Sequence, residues 1–310
     1  MGTGTSSVPR TCASTRPGSR RSATAADPLP IGVTIGTVGV DARWWLDTAE
    51  RLDEAGYRAI WAWDHFVGKG DVTVPVLEAW TLLAAASART RRAFLGTFVS
   101  NVMNRHPAVV ARMASTLQSG SGGRFRLGLG IGGHPREHRM YGMAFPEARE
   151  RAAHLREAIA VIRALWSGGP VSYAGDRYRL EEAVAFPRPA LAPPILVAGQ
   201  TPAGVRIAAE LGDGWAAETP SFEHLEPLYR RELASNGRPR DDQLVVVGFG
   251  GGRSGVDSVP GSPWAETPRD AIHGWRRKGV DEVAVTVRTQ ADVDALAEAA
   301  RRWSPGVGDG

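Results

Sequence analysis

Cysteine is almost missing from this chain: of its 310 residues only Cys12 carries a thiol. That excludes an intrachain disulfide and a thiolate metal site. Long apolar runs are missing too, and none approaches the ~20 residues that a membrane helix needs. The N-terminus lacks the apolar core of a secretory signal, and its arginine pair at Arg20 and Arg21 is not followed by one. There is no Gly-x-Ser-x-Gly elbow, no Walker loop and no His-Glu-x-x-His pair, so the usual serine-hydrolase, NTP-binding and zinc-protease signatures are absent. Basic charge is scarcer than the net +4 suggests. Arg10, Arg16, Arg20 and Arg21 against Asp27 place +3 in residues 1–29, which leaves +1 for the remaining 281. The folded part therefore has no nucleic-acid footprint. These absences predict a cytoplasmic protein with neither nucleic acid nor membrane as partner. Residues 1–29 read as a disordered basic tail, with an organelle leader as the alternative, and residues 305–310 as a flexible end.

What the chain does have is glycine in one telling place. Residues 122–138 read GGRFRLGLGIGGHPREH. Side chains alternate along a strand, so Phe125, Leu127, Leu129 and Ile131 share one face, while Gly128, Gly130 and Gly132 share the other. Three glycines on one strand face point to a close approach by a ligand or another backbone. The spacing nears a dinucleotide fingerprint, but that motif must open a helix whose N-terminus takes the pyrophosphate. Here His134-Pro135 follows, with no helix-start pattern behind the glycines.

From Pro30 onward, strand and helix patterns alternate eight times. Strands are predicted at 31–36, 58–63, 93–100, 124–131, 195–199, 213–217, 244–249 and 282–287. Helices are predicted at 41–55, 77–88, 107–119, 149–167, 202–211, 222–236, 267–279 and 290–303. Eight such units predict an α/β protein, a single (β/α)8 TIM barrel over residues 30–304. Residues 168–194 read as an inserted hairpin and an extended, proline-rich return before the fifth strand.

Barrel enzymes keep their chemistry on the loops after the strand C-termini. Asp64-His65 follows the second strand, where a His–Asp pair can tune a proton donor near neutral pH. The other reading of Asp64 is a cap on a neighbouring backbone. Asn101 follows the third strand and could read a heterocycle edge, or serve as an ordinary loop residue. Gly199-Gln200-Thr201, with Pro202 behind it, suits a phosphate at a helix N-terminus, or only a capped helix. His134, Arg136 and His138 could meet an acidic ligand or form a solvated loop, and Pro135 weighs against zinc on the two histidines. His106 reads as structural. Gly32, Thr34, Gly36, Gly128 and Gly130, if inward, leave room at the barrel top. Trp63, Phe66, Met103 and Trp215 suggest an apolar pocket.

DHF at 64–66, LEAWTLLAAASARTRRAFLGTFVSNVMNRHPAVVARMASTL at 77–117, SGGRFRLGLGIGGHPREHRMYG at 121–142 and ILVAGQTPAGVRIAAELGDGW at 195–215 together resemble the bacterial luciferase-like monooxygenase superfamily. Within it they look most like the deazaflavin (coenzyme F-420) dependent oxidoreductases, and the resemblance covers roughly residues 30–290. It implies a TIM barrel that moves a hydride between F-420 and a small organic substrate, with a homodimer as the family's habit. An FMN-dependent two-component monooxygenase is the alternative, and a non-catalytic flavin-binding barrel the second. Carried over, Asp64 and His65 would lie beside the ring, with His65 handling the proton. A non-prolyl cis peptide would fall at Phe98-Val99 behind the ring. Asn101, Gly130, Gly132, Gly133 and His134 would contact ring and chain, and Ala198, Gly199, Gln200 and Thr201 the phosphate. The sugar-phosphate branch carries an acid where this chain has Gly133, which speaks against a sugar-phosphate substrate. Gln118 stands where an acid is usual, a change expected to be structural.

Overall fold

The computed structural model describes residues 29–68, 70–249 and 258–303. The expected tail and C-terminal segment lie outside these residues, except for Leu29, which opens the first strand. Eight parallel strand positions close into a ring. They are β1 (Leu29–Ile35), β2 (Tyr57–Ala62), β3 (Phe94–Thr97) continued by β4 (Ser100–Asn101), β5 (Phe125–Gly130), β8 (Ile195–Ala198), β9 (Gly214–Glu218), β10 (Leu244–Phe249) and β11 (Glu282–Val287). β1 pairs with both β2 and β11, and pairing of β3 with β5 closes the circle. The antiparallel hairpin β6 (Val171–Ala174) and β7 (Arg179–Ala183) stands apart as the insertion before the fifth barrel position. Helices return the chain between strands: α1 (Ala42–Glu54), α2 (Ala79–Arg89), α3 (Pro107–Gly120), α5 (Ala148–Trp166), α6 (Pro202–Leu211), α7 (Thr219–Ser235), α9 (Pro268–Arg277), which the one-turn α8 (Pro263–Glu266) precedes, and α10 (Gln290–Trp303). Among the described residues no helix is long and apolar enough to cross a membrane.

Local chemistry explains where these helices start. Asp41 caps α1 by accepting from the N–H groups of Arg43 and Trp44, Glu78 does the same for α2, and Thr201 accepts from Gly204 N at the head of α6. His106 caps α3 through Nδ1, which is the structural role expected of it. One helix departs from expectation. The glycine cluster is followed by a six-residue helix, α4 (Pro135–Met140), with Pro135 in its first turn. Proline excludes helix before itself but suits the first helical position, so the segment starts where a longer period would have been needed to see it.

Burial sorts the strand faces by parity. Phe125, Leu127 and Leu129 pack outward with Leu155, Ile159 and Ile162 of α5 in the large core between barrel and helices. A smaller cluster of Ala59, Trp61, Leu196, Ala216, Val246 and Ala284 fills the barrel itself. The inward glycines serve this filling. A Cβ at Gly32 would lie 2.6 Å from Trp61 Nε1, and one at Gly96 would lie 2.4 Å from the Trp61 ring. At Gly128 it would lie 2.1 Å from Thr97 O, and at Gly130 2.9 Å from Val99. Expected space for a ligand along β5 is thus taken at these levels by the neighbouring strand, which breaks between β3 and β4 with a cis Phe98-Val99 peptide.

Trp215, expected in a pocket, sits on the opposite parity. It is fully buried outside the barrel against Phe222 and Tyr229 of α7, and its Nε1 donates to Gly199 O. Met103 likewise packs against the outer core. Gln118 is structural as expected, accepting from Phe125 N and donating to Leu191 O.

The two ends of the barrel differ in chemistry. At the strand N-termini, Glu282 accepts from Trp61 Nε1 at 2.9 Å and from Arg126 NH1 at 2.7 Å, while Arg126 lies 3.7 Å over the Phe94 ring. This buried pair closes the bottom. Polar side chains with exposed edges gather at the other end.

Candidate active site

Four strand ends supply the mouth of the barrel. After β2 the chain runs through Trp63, Asp64, His65 and Phe66; after β4 through Asn104 and Arg105; after β5 through Gly132, Gly133 and His134; after β8 through Gly199, Gln200 and Thr201. Trp63 stays on the inward parity of Trp61 and is half-buried, with the Arg288 guanidinium 5.3 Å above its ring.

Asp64 is sealed off and its carboxylate is heavily used. It accepts from Ser100 Oγ at 2.6 Å, from Arg105 NH1 at 2.7 Å and NH2 at 3.0 Å, and from Asn101 N at 3.3 Å. Arg105 also reaches Glu78 Oε1 at 2.6 Å, and its guanidinium lies over Phe66 and Trp80. The expected His–Asp neighbour pair is therefore not the pair the fold makes. Asp64 ties the β2 end to the β4–α3 loop through a two-pronged guanidinium contact.

The carboxylate that faces His65 comes from α4. Glu137 Oε2 lies 3.4 Å from His65 Nδ1 and also 3.4 Å from His134 Nδ1, and it accepts from Phe66 N at 3.0 Å. The two imidazoles meet edge to face with centroids 5.8 Å apart. Glu137 is buried, His65 and His134 partly so. Burial pushes the Glu137 carboxyl up, but the His65 and Phe66 hydrogen bonds, the His65 charge and His134 outweigh it and hold the group at about 2. The donor atoms of these three residues lie within 4.8 Å of one another, close enough to hold a metal ion. Glu137 was not among the residues singled out from sequence. Its signal was the i, i+3 spacing from His134, which is legible only once α4 is known to be a helix.

His138 does not join them. Fully buried against Phe145, it places Nδ1 3.3 Å from His134 O and Nε2 3.2 Å from Asn101 Nδ2. Asn101 Oδ1 accepts from Met103 N, so the amide is oriented with Nδ2 toward His138. One Nδ2 hydrogen is left over. Neither the expected acidic-ligand role for His138 nor a zinc pairing with His134 is compatible with these partners; Arg136 points to solvent. Gly132 takes the left-handed turn (φ 75°), where a Cβ would strike the Asn101 amide. Gly133 next to it is open: nothing lies within 4 Å of a Cβ built there.

At the β8 end, Gly199 packs on the first turn of α6, with a Cβ there only 2.8 Å from Gly204 C. Only glycine allows this approach, which brings the α6 N-terminus to the rim. Thr201 and Gln200 are exposed there, Ala198 half-buried, and Gln200 Oε1 accepts from Glu218 N. A capped helix start with free N–H groups suits an anion.

Comparison with known proteins places this geometry. The model of the luciferase-like monooxygenase family matches residues 13–250. An "F-420-dependent hydroxymycolic acid dehydrogenase" of Mycobacterium tuberculosis is 29% identical over 94% of this chain and 81% of its own length. An "F-420-dependent glucose-6-phosphate dehydrogenase" of Kineococcus radiotolerans is 35% identical, over 62% of this chain and 58% of its own length. Among solved structures, an "F-420-dependent secondary alcohol dehydrogenase in complex with an F-420-acetone adduct" superposes with a TM-score of 0.77 at 20% identity, covering 91% of this chain and all of the other.

Proposed function

The chain belongs to the luciferase-like monooxygenase family, and from that premise we propose that it is an F-420-dependent oxidoreductase moving a hydride between the deazaflavin and a small alcohol or its carbonyl counterpart. One observation carries the reading: a partly exposed imidazole, His65, stands at the barrel mouth edge to face with His134, which follows the open Gly133, and the capped start of α6 lies at the same end of the barrel. These residues fit a flat cofactor with a phosphate-bearing tail. When bound, the deazaflavin supplies hydride chemistry at its ring carbon 5 and little reactivity toward oxygen.

The chain's own residues then divide the work. His65 takes the hydroxyl proton from the substrate as it is oxidised, or returns it in the opposite direction. Asp64 keeps His65 in place through the Arg105 contact. Phe98, Val99, Asn101, Gly132, Gly133 and His134 line the ring side, with Gly130 covered by Val99, and Ala198, Gly199, Gln200 and Thr201 receive the phosphate. Gly133 leaves no acid in this loop position, which favours a neutral alcohol over a sugar phosphate. The same reading makes the protein a single 30–304 barrel domain working as a cytoplasmic homodimer; its support is the family likeness.

The test is anaerobic. Reduced F-420 mixed with the protein and a panel of small ketones and aldehydes is expected to be reoxidised with matching alcohol formation. No reoxidation by any carbonyl, together with oxygen-dependent product formation from reduced FMN, would overturn the reading.

A further inference from the structure

Glu137 is a buried carboxylate with unusual company. Its side chain is 1% exposed, and among the described residues its ion-pair partners are two histidines, with no lysine or arginine. Beyond the 3.4 Å contacts to Glu137, neither His65 Nδ1 nor His134 Nδ1 has a polar partner, and both atoms are shielded from solvent. Buried ring nitrogens need partners, and a buried carboxylate needs donors. A hydrogen on each Nδ1, turned onto Glu137, would meet both needs. An imidazole carries its two nitrogens on separate edges, so Nε2 of each ring then faces away from Glu137. The His65 side chain is 30% exposed and that of His134 12%, so it is the rings, not the carboxylate, that reach the mouth. Two polar neighbours are committed elsewhere: Asp64 to Arg105, and His138 to Asn101 and the His134 carbonyl.

We propose that Glu137 is a positioning residue serving two imidazoles at once: it fixes His65 and His134 as Nδ1–H tautomers, leaving two Nε2 acceptors side by side at the mouth. The inference rests on His65 being the proton-handling group of the preceding subsection. Its consequence is a substrate class. Two imidazole acceptors above a buried anion welcome a neutral hydroxyl donor, whose proton passes to His65 Nε2 while the carbinol C–H electron pair leaves as hydride to the deazaflavin. A carboxylate or phosphate at the same point would face acceptors and a negative charge.

The test is nitrogen NMR of the full-length protein labelled with 15N-histidine, recorded at a pH where both rings are neutral. His65→Ala and His134→Ala supply the assignments. Both rings are expected as Nδ1–H tautomers in the unsubstituted protein. In Glu137→Gln, which keeps an oxygen for Phe66 N but removes the negative charge that draws both Nδ1 hydrogens, at least one ring is expected to revert to a tautomer mixture. An Nε2–H tautomer at His65, or signals unmoved in Glu137→Gln, would contradict the proposal. One equivalent of zinc in the purified protein, with a chelator shifting both rings, would also overturn it by making the three donors a metal site. If His65→Ala keeps full hydride transfer while the tautomers are as expected, the proton-handling reading falls and the positioning by Glu137 stands.

Discussion

Replacing His65 by alanine is expected to slow hydride transfer by about 100- to 10,000-fold, the usual range for loss of a positioned general acid–base. Binding of F-420 should change little, because His65 contributes no contact to the α6 rim where the phosphate is placed. The fold should also persist: the side chain is 30% exposed and its polar contact is the one to Glu137. The measurement is single-turnover reoxidation of bound reduced F-420 by the best carbonyl from the anaerobic panel, with cofactor affinity measured in parallel. A variant within about threefold of the parent rate would remove His65 from the proton role.

The largest effect on stability is expected at Arg105. Its guanidinium joins Asp64, whose side chain is 1% exposed, to Glu78 at the start of α2. Arg105→Leu leaves Asp64 buried beside Ser100, Asn101 and Asn104 but without its cation. Removing one partner of a buried pair costs about 3–5 kcal/mol, which for a chain of this size is a fall in Tm on the order of 5–15 °C. Arg105→Lys keeps the charge and loses the two-pronged geometry, so it should fall between the two. Denaturant or thermal unfolding reads the effect. A loss below about 1 kcal/mol for Arg105→Leu would mean that Asp64 is neutral or solvated in the folded protein, against the geometry described.

The barrel was legible because its signals are local. All eight strand positions and their eight long helices follow from periodicity and caps within a dozen residues, such as Asp41 before α1 or Thr201-Pro202 before α6. The parity of β5 also placed Gly128 and Gly130 inward, although what approaches them there is the neighbouring strand and Val99. Trp215 was misplaced although the same parity was available: Gly214 and Ala216 face in, so Trp215 must face out.

The site was less legible because its contacts are long-range. Asp64 stands next to His65 in sequence, yet its charge partner is Arg105, 41 positions away. Glu137 meets Phe66 N from 71 positions away. Nothing local in the sequence separates Glu137 from its neighbours Arg136 and His138. A six-residue helix beginning at proline turns Glu137 inward and Arg136 outward. The family resemblance placed the Phe98-Val99 cis peptide where local pattern alone could not.

Every role proposed for the mouth of this barrel depends on its taking a deazaflavin. The most direct test is equilibrium titration of the purified protein with F-420 and, separately, with FMN, each followed by fluorescence. Saturable one-to-one binding of F-420 is expected, weakened by Thr201→Ala at the phosphate rim, with FMN binding at least about tenfold weaker, a difference of ~1.4 kcal/mol. Tight FMN binding with F-420 left free in solution would contradict that expectation and assign the barrel to flavin and oxygen chemistry.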